Sequence, residues 1–262
     1  MTGFDHHACI RTESERFRSA LGAADPSARV PTCPDWSAAD LLWHLAEVQL
    51  FWTEIVRDRL SDPEVAEAAK PGRPDDYPAL LTLGENATTG LLAALEGAGD
   101  DEAIWTWAAD ESVGFVRRFQ VHEATMHRVD AELVSGHAVT PIDAAVAADG
   151  VDVALRNCFV GPPAWAEYEQ LGFGRLEATD TGASWLVELG TISGTSPNTG
   201  RTYDKGPLFS VVAAGDPSFA ISGGADDLDR WVWGRGPADA LTVSGDAATH
   251  ATFAGLIAEG VQ

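Results

Sequence analysis

The stretch RRFQVHEATMHRVDAE, residues 117–132, places two histidines and a glutamate where a metal ion could be held. It looks like the zinc-binding pattern HExxH, but His122 and His127 are five residues apart. On a helix that spacing turns them about 140° from one another, so they cannot share an ion. Glu123 and His127 are four apart, which stacks them on one face, one turn from each other. Phe119, Met126, Asp130 and Leu133 share that face, so it should enter a core. A carboxylate and an imidazole on a core stripe need a partner, because an unpaired buried charge is costly. A metal ion is one such partner. A surface ion pair or a helix-stabilising contact is the commoner fate of a lone Glu-x-x-x-His pair, and spacing alone does not decide between them.

A third ligand is on offer in LLWHLAEVQ, where His44 lies near the edge of an apolar stripe formed by Leu41, Leu45, Val48, Trp52 and Ile55. Two histidines and one glutamate around a divalent ion leave a coordination position open, as catalytic zinc sites do. The same donors suit iron, nickel or manganese. Asp130, three beyond His127, could orient that ring from behind, or could be solvated or ion-paired. Arg117, Arg118 and Arg128 read as surface charge for at least two of the three, with an anionic ligand as the alternative. The remaining histidines, His6, His7, His122, His137 and His250, belong to no constellation. The tryptophans near His44, with Trp105 and Trp107, either wall a pocket or pack a core, the commoner use.

The elements that must carry these residues are helices in the first half. A helical pattern runs from about Asp5 to Leu21, followed by the turn-rich ADPSARVPTCPDW. Ser37 with Asp40 makes a capping-box start for a strong amphipathic helix through LLWHLAEVQLFWTEIVRDRL. Residues 62–77, with four prolines or glycines, read as a loop. A third helix covers about Pro78–Leu95, interrupted by Gly84 and Gly90. The fourth covers about Gly114–Val134 and is ended by Gly136. Four such helices predict an up-and-down bundle. A further helix, about Ile142–Cys158, opens the second half. There GRLEATD, SWLVELG, LFSVVAA and FAISG read as short strands between turns. A short helix at ADDLDRWVWGRG, a strand at LTVSG and a last helix complete an α+β domain. The boundary falls near residues 137–160, giving a helical bundle over 1–140 and an α+β domain over 141–262.

Composition narrows the function. The net charge is -23, from 40 acidic against 17 basic residues, a field that repels phosphate backbones and anionic membrane surfaces, so neither is an expected partner. No run approaches the length of a membrane helix, and the N-terminal stretch lacks the basic-then-apolar pattern of a signal peptide. Cys9, Cys33 and Cys158 are too few and too scattered for a disulfide framework, which fits a reducing cytoplasm. Cys33 has no histidine local to it and is not read as a nucleophile. Only Lys70 and Lys205 are lysines, an arginine bias that, with abundant alanine and glycine, resembles the coding style of a high-GC genome.

The run VPTCPDWSAADLLWHLAEVQLFW resembles the N-terminal signature of the mycothiol-dependent maleylpyruvate isomerase family, carried by Val30, Pro31, Cys33, Pro34, Asp35, Trp36, Ser37, Asp40, Leu41, His44 and Leu45. RRFQVHEATMHRVDAE resembles the family's second motif, and DLDRWVWGR with LTVSGD is similar to the end of its C-terminal domain. The resemblance implies a DinB-like four-helix bundle followed by a smaller α+β domain, with zinc held by His44, Glu123 and His127. It implies a partner thiol, mycothiol, deprotonated at the metal, because the thiolate is the nucleophile. Addition of that thiolate to the cis double bond of maleylpyruvate, rotation and elimination would give fumarylpyruvate. An arginine from the C-terminal domain assists in the family, and Arg235 in WVWGR is the residue that matches; a helix cap or salt bridge is the alternative for it. Other thiols, and a small electrophile other than maleylpyruvate, fit the same scaffold. A non-catalytic regulatory module of this fold and a zinc-dependent hydrolase are the competing readings.

Overall fold

In the computed structural model, which describes residues 3–159 and 161–260, the chain divides into two compact units, one up to Pro141 and one from Ile142.

The first unit is helical, and its helices start where the sequence supplies caps. α1 (His6–Gly22) is capped by the Asp5 carboxylate on the Ala8 amide. α2 (Ala38–Asp58) begins with the expected reciprocal box of Ser37 and Asp40. α3 (Pro63–Ala69) is a correction: the stretch read as a loop holds a short helix, started by the Asp62 side chain with proline in the first turn. α4 (Tyr77–Glu96) is continuous through Gly84 and Gly90, each lying where α4 meets a neighbour: Arg18 and Leu42 beside Gly84, Thr53 beside Gly90. α5 (Val113–Val134) is capped by Ser112 and is buried over most of its circumference.

The four long helices form a bundle in which α1 packs on α5 and α4, and α2 packs on α4 and α5, while α1 and α2 barely meet. Successive helices are therefore not all neighbours, as the simple up-and-down ring would have them. The connection over residues 23–37 allows this, because it is long enough to cross the bundle. That connection, expected as turns alone, contains a small hairpin of β1 (Arg29–Val30) and β2 (Cys33–Ser37), with Val30 fully buried among Phe17, Leu21, Leu41 and Leu45. A second layer of order is polar. Gln49 of α2 bonds Ser14 of α1 and Thr88 of α4, and Arg18 donates to Thr88.

The second unit is α+β. α6 (Ala144–Val153) starts on Asp143, rather than at Ile142, and passes into a π-helical turn over Ala154–Cys158. Its sheet runs β5-β4-β3-β6-β7 among the described residues, with β3 (Glu167–Ala178), β4 (Ser184–Thr195), β5 (Thr202–Val212), β6 (Phe219–Gly223) and β7 (Thr242–Gly245). β3 and β6 are parallel and the other pairs antiparallel. β3 begins at Glu167, well before GRLEATD, and β4 and β5 extend beyond their apolar runs into SGTSPNTGRTYDKG, because a ladder needs only backbone groups where side chains are polar. Gly174 pairs with Phe219, whose ring fills the place of a Cβ at 174. α7 (Ala225–Val232) packs on α6, and α8 (Ala247–Ala258) packs on β3, β5 and β6. Phe209, Phe219, Phe253 and Trp231 form the aromatic centre of this unit. No helix among the described residues is long and apolar enough to cross a membrane.

Candidate metal centre

His44 projects from the second turn of α2, and Glu123 and His127 from successive turns of α5, two helices that pack side by side. One ligand atom from each of the three lies within 4.8 Å of the others, and no other trio of His, Cys, Asp or Glu among the described residues comes together in this way. The separations are informative. Glu123 Oε1 stands 3.5 Å from His44 Nε2 and 3.6 Å from His127 Nε2. Those distances exceed the roughly 2.7–3.2 Å of a good hydrogen bond. They match the edge of a ligand tetrahedron, about 3.3 Å when each ligand sits about 2.0–2.1 Å from a zinc ion. The donor set, two imidazoles and a carboxylate, fits a borderline-soft divalent metal.

Exposure gives the cluster an open side. The His127 side chain is 8% exposed and that of Glu123 15%, whereas His44 reaches 27%, so access lies on the α2 side. Burial acts to raise the Glu123 carboxyl, but the imidazoles of His127 and His44 outweigh it and hold the group well below the usual carboxylate range. Burial acts to lower His127, yet Asp130 and Glu123 push it up to about 9. A divalent cation bound by these three side chains would displace the proton that they otherwise share.

The structure places Asp130 where it touches His127. Its Oδ2 lies 2.9 Å from His127 Nδ1, and Asp130 is fully buried. Thr32, in the turn of the hairpin, donates from Oγ1 to the other Asp130 oxygen at 2.5 Å. Trp36, at the end of the same hairpin, lies against the His44 ring with centroids 4.6 Å apart and reaches His127 at 6.3 Å. The two imidazoles meet edge to face at 4.8 Å. Sequence reasoning has no handle on Thr32, which is 98 residues from the side chain it holds.

Other expectations on this helix change. Arg128 is fully buried, donating to Glu13, to Glu132 and to the Thr140 carbonyl. Arg117 donates to the carbonyls of Leu95 and Ala98 and pairs with Asp100. Arg118 is half-buried. None is plain surface charge, because α5 is enclosed on nearly every side. His122 is fully buried and turned away from the cluster by its helical phase. Trp105 stacks on Trp52 and meets Phe51, while Trp107, half exposed, packs on Phe115 and Phe119. In the second unit Arg235 follows α7, where its amide bonds the Arg230 carbonyl and its Nη1 donates to the Trp233 carbonyl, both at 2.6 Å.

Two family models match the sequence. The one described as the mycothiol maleylpyruvate isomerase N-terminal domain covers residues 7–132, and the one for the C-terminal domain of the same family covers residues 145–252. Among solved structures, a crystal structure of the mycothiol-dependent maleylpyruvate isomerase superposes with a TM-score of 0.59 at 15% identity, over 92% of this chain and 93% of that one. A histidine-to-alanine mutant of that isomerase gives 0.57 at 13% identity over the same shares. At such identities these two structures speak for the fold. No curated protein sequence matches significantly.

Proposed function

Because the chain belongs to the mycothiol maleylpyruvate isomerase family, we propose that it is a metal-dependent, mycothiol-using isomerase or S-transferase acting on a small maleylpyruvate-like electrophile. The observation that carries this reading is the convergence of His44, Glu123 and His127 at ligand-to-ligand distances suited to one divalent ion, zinc being the first choice. A bound metal would supply Lewis acidity, lowering the pKa of a thiol so that the thiolate is available at neutral pH.

The protein's own residues do the rest. Glu123 and His127 offer their lone pairs from successive turns of one rigid helix, and His44 completes the set from its neighbour. Asp130 accepts the Nδ1 proton of His127, which leaves Nε2 with its lone pair directed at the cluster. Trp36 shields one side of His44 from water, and the more exposed His44 edge is where a thiol enters. Arg235 is proposed as the guanidinium that pairs with a substrate carboxylate or enolate; its place in the WVWGR stretch of the C-terminal family domain supports that role.

Metal analysis of wild-type protein and His44→Ala, before and after zinc loading, tests the site. Turnover of maleylpyruvate with and without mycothiol then tests the chemistry. Stoichiometric metal in the wild type, its loss in His44→Ala and thiol-dependent isomerisation are expected. Wild-type protein that neither retains nor takes up metal would overturn the site. Metal-loaded protein that neither binds nor consumes the thiol would overturn the thiol chemistry alone.

A further inference from the structure

We propose that the β1–β2 hairpin is the positioning device of the metal cluster, with Thr32 acting through Asp130 to fix the ring of His127; this rests on the metal reading of the site given above. The cluster needs His127 in one tautomer and one orientation, with Nδ1 protonated and Nε2 facing Glu123. Asp130 is the proton acceptor at Nδ1, 2.9 Å away on the same helix. A carboxylate on a short side chain can still swing about its own torsions, and both it and the ring are buried. Thr32 supplies the second point of attachment by donating its hydroxyl proton to Oδ1 of Asp130. The result is a chain of two hydrogen bonds, Thr32 to Asp130 to His127, that ends on a ligand nitrogen. Partners of this kind behind a ligating histidine commonly change metal affinity ten- to a hundredfold when removed.

The hairpin is built to hold that threonine still. Val30 anchors it in the bundle core. Arg29 donates to the Asp35 carbonyl at 3.0 Å and ties the hairpin across itself. The Ala38 and Ala39 amides donate to the carbonyls of Ala28 and Pro26, fastening the start of α2 to the segment that leads into β1. The same element carries Trp36, whose ring meets His44 at 4.6 Å. One short hairpin thereby touches both histidines, His44 through a ring and His127 through a carboxylate. The Asp130 contact belongs to α5 itself, but the Trp36 ring and the Thr32 hydroxyl come from the hairpin alone.

The test compares wild type, Thr32→Val and Thr32→Ser. Valine keeps the shape and removes the hydroxyl; serine restores it. Zinc affinity is measured with zinc alone, by competition against a chromophoric chelator, and the His127 Nδ1 proton is followed by nitrogen-15-resolved NMR. Thr32→Val is expected to bind zinc about tenfold more weakly and to exchange the Nδ1 proton faster, with Thr32→Ser close to wild type in both. Zinc affinity within twofold of wild type in Thr32→Val, with an unchanged Nδ1 signal, overturns the proposal. Should wild-type protein bind no zinc, the metal reading fails, and the relay is judged by the Nδ1 proton alone: faster exchange in Thr32→Val sustains it and unchanged exchange overturns it.

Discussion

Asp229→Asn should abolish a pH dependence of stability that belongs to one carboxyl group of the C-terminal unit. Asp229 lies on α7 against α6, fully buried, and its side-chain oxygens rest on the bare backbone of Gly150, where a Cβ would stand 2.4 Å from the nearer one. Neither oxygen has a hydrogen-bond partner among the described residues, and the nearby Trp233 indole donates to the Gly150 carbonyl at 3.3 Å. Burial, with repulsion from Asp226 and Asp149, pushes the group well above the usual carboxylate range, opposed only in part by Trp233 and Arg230. The folded protein therefore keeps a proton there that the unfolded chain releases above its ordinary pKa of about 3.9. Its stabilising contribution is complete below that value and declines as pH rises toward the folded pKa. While the folded form stays protonated, the loss is about 1.4 kcal/mol per pH unit. Asparagine cannot ionise, so the difference in unfolding free energy between variant and wild type should grow with pH, at up to that rate, in measurements from pH 5 to pH 7. The slope is the readout, because an amide makes different contacts from a carboxylic acid and shifts the offset by itself. Urea titrations of both proteins at several pH values, followed by tryptophan fluorescence, give it directly. A difference that stays flat over this range would mean that Asp229 is ionised in the fold, and the reasoning would fail.

Three further outcomes follow from the first unit. Arg128→Met leaves the Glu13 and Glu132 carboxylates facing each other's field without their shared cation, and should cost about 3–5 kcal/mol; a urea midpoint close to wild type would contradict the burial of that network. Gln120→Leu should stabilise, by about 1–3 kcal/mol at most, because both amide atoms of Gln120 are buried without partners among the described residues; a lowered midpoint would refute this. Ser37→Ala removes the hydroxyl that accepts from the Asp40 amide and donates to its carboxylate. It should cost about 1 kcal/mol of stability and let Asp40 rise from about 2 toward the ordinary range, as an NMR titration of that carboxyl would show.

The parts of this molecule that the sequence makes legible are those that depend on near neighbours in the chain. The Ser37–Asp40 box starts α2 because its partners are three residues apart. The i, i+4 spacing of Glu123 and His127 puts them on one face, and the same arithmetic separates His122 from them. α3 is a near miss of the same kind: Asp62 and Pro63 are a helix start, but the density of proline and glycine around them outweighs that signal. The strands of the second unit run past their apolar runs for a related reason, since pairing is satisfied by the backbone and leaves no mark on the side chains.

What depends on distant neighbours does not show in the spacing. Arg128, one of three arginines of which at least two read as surface charge, is instead enclosed by Glu13 from α1 and Glu132 from its own helix. The diagonal placement of α1 and α2 is set by how a long connection crosses the bundle, and no local pattern encodes that choice. The proposed metal cluster combines both classes. Its α5 half follows from helical phase; His44 follows only from a motif resemblance, because an isolated histidine on another helix has no phase relation to α5. Thr32 follows from neither, and yet it is the residue through which the hairpin reaches Asp130 and, behind it, His127. A site assembled across α2, α5 and a hairpin is specified by packing, so the residues that position its ligands emerge only when the packing is known.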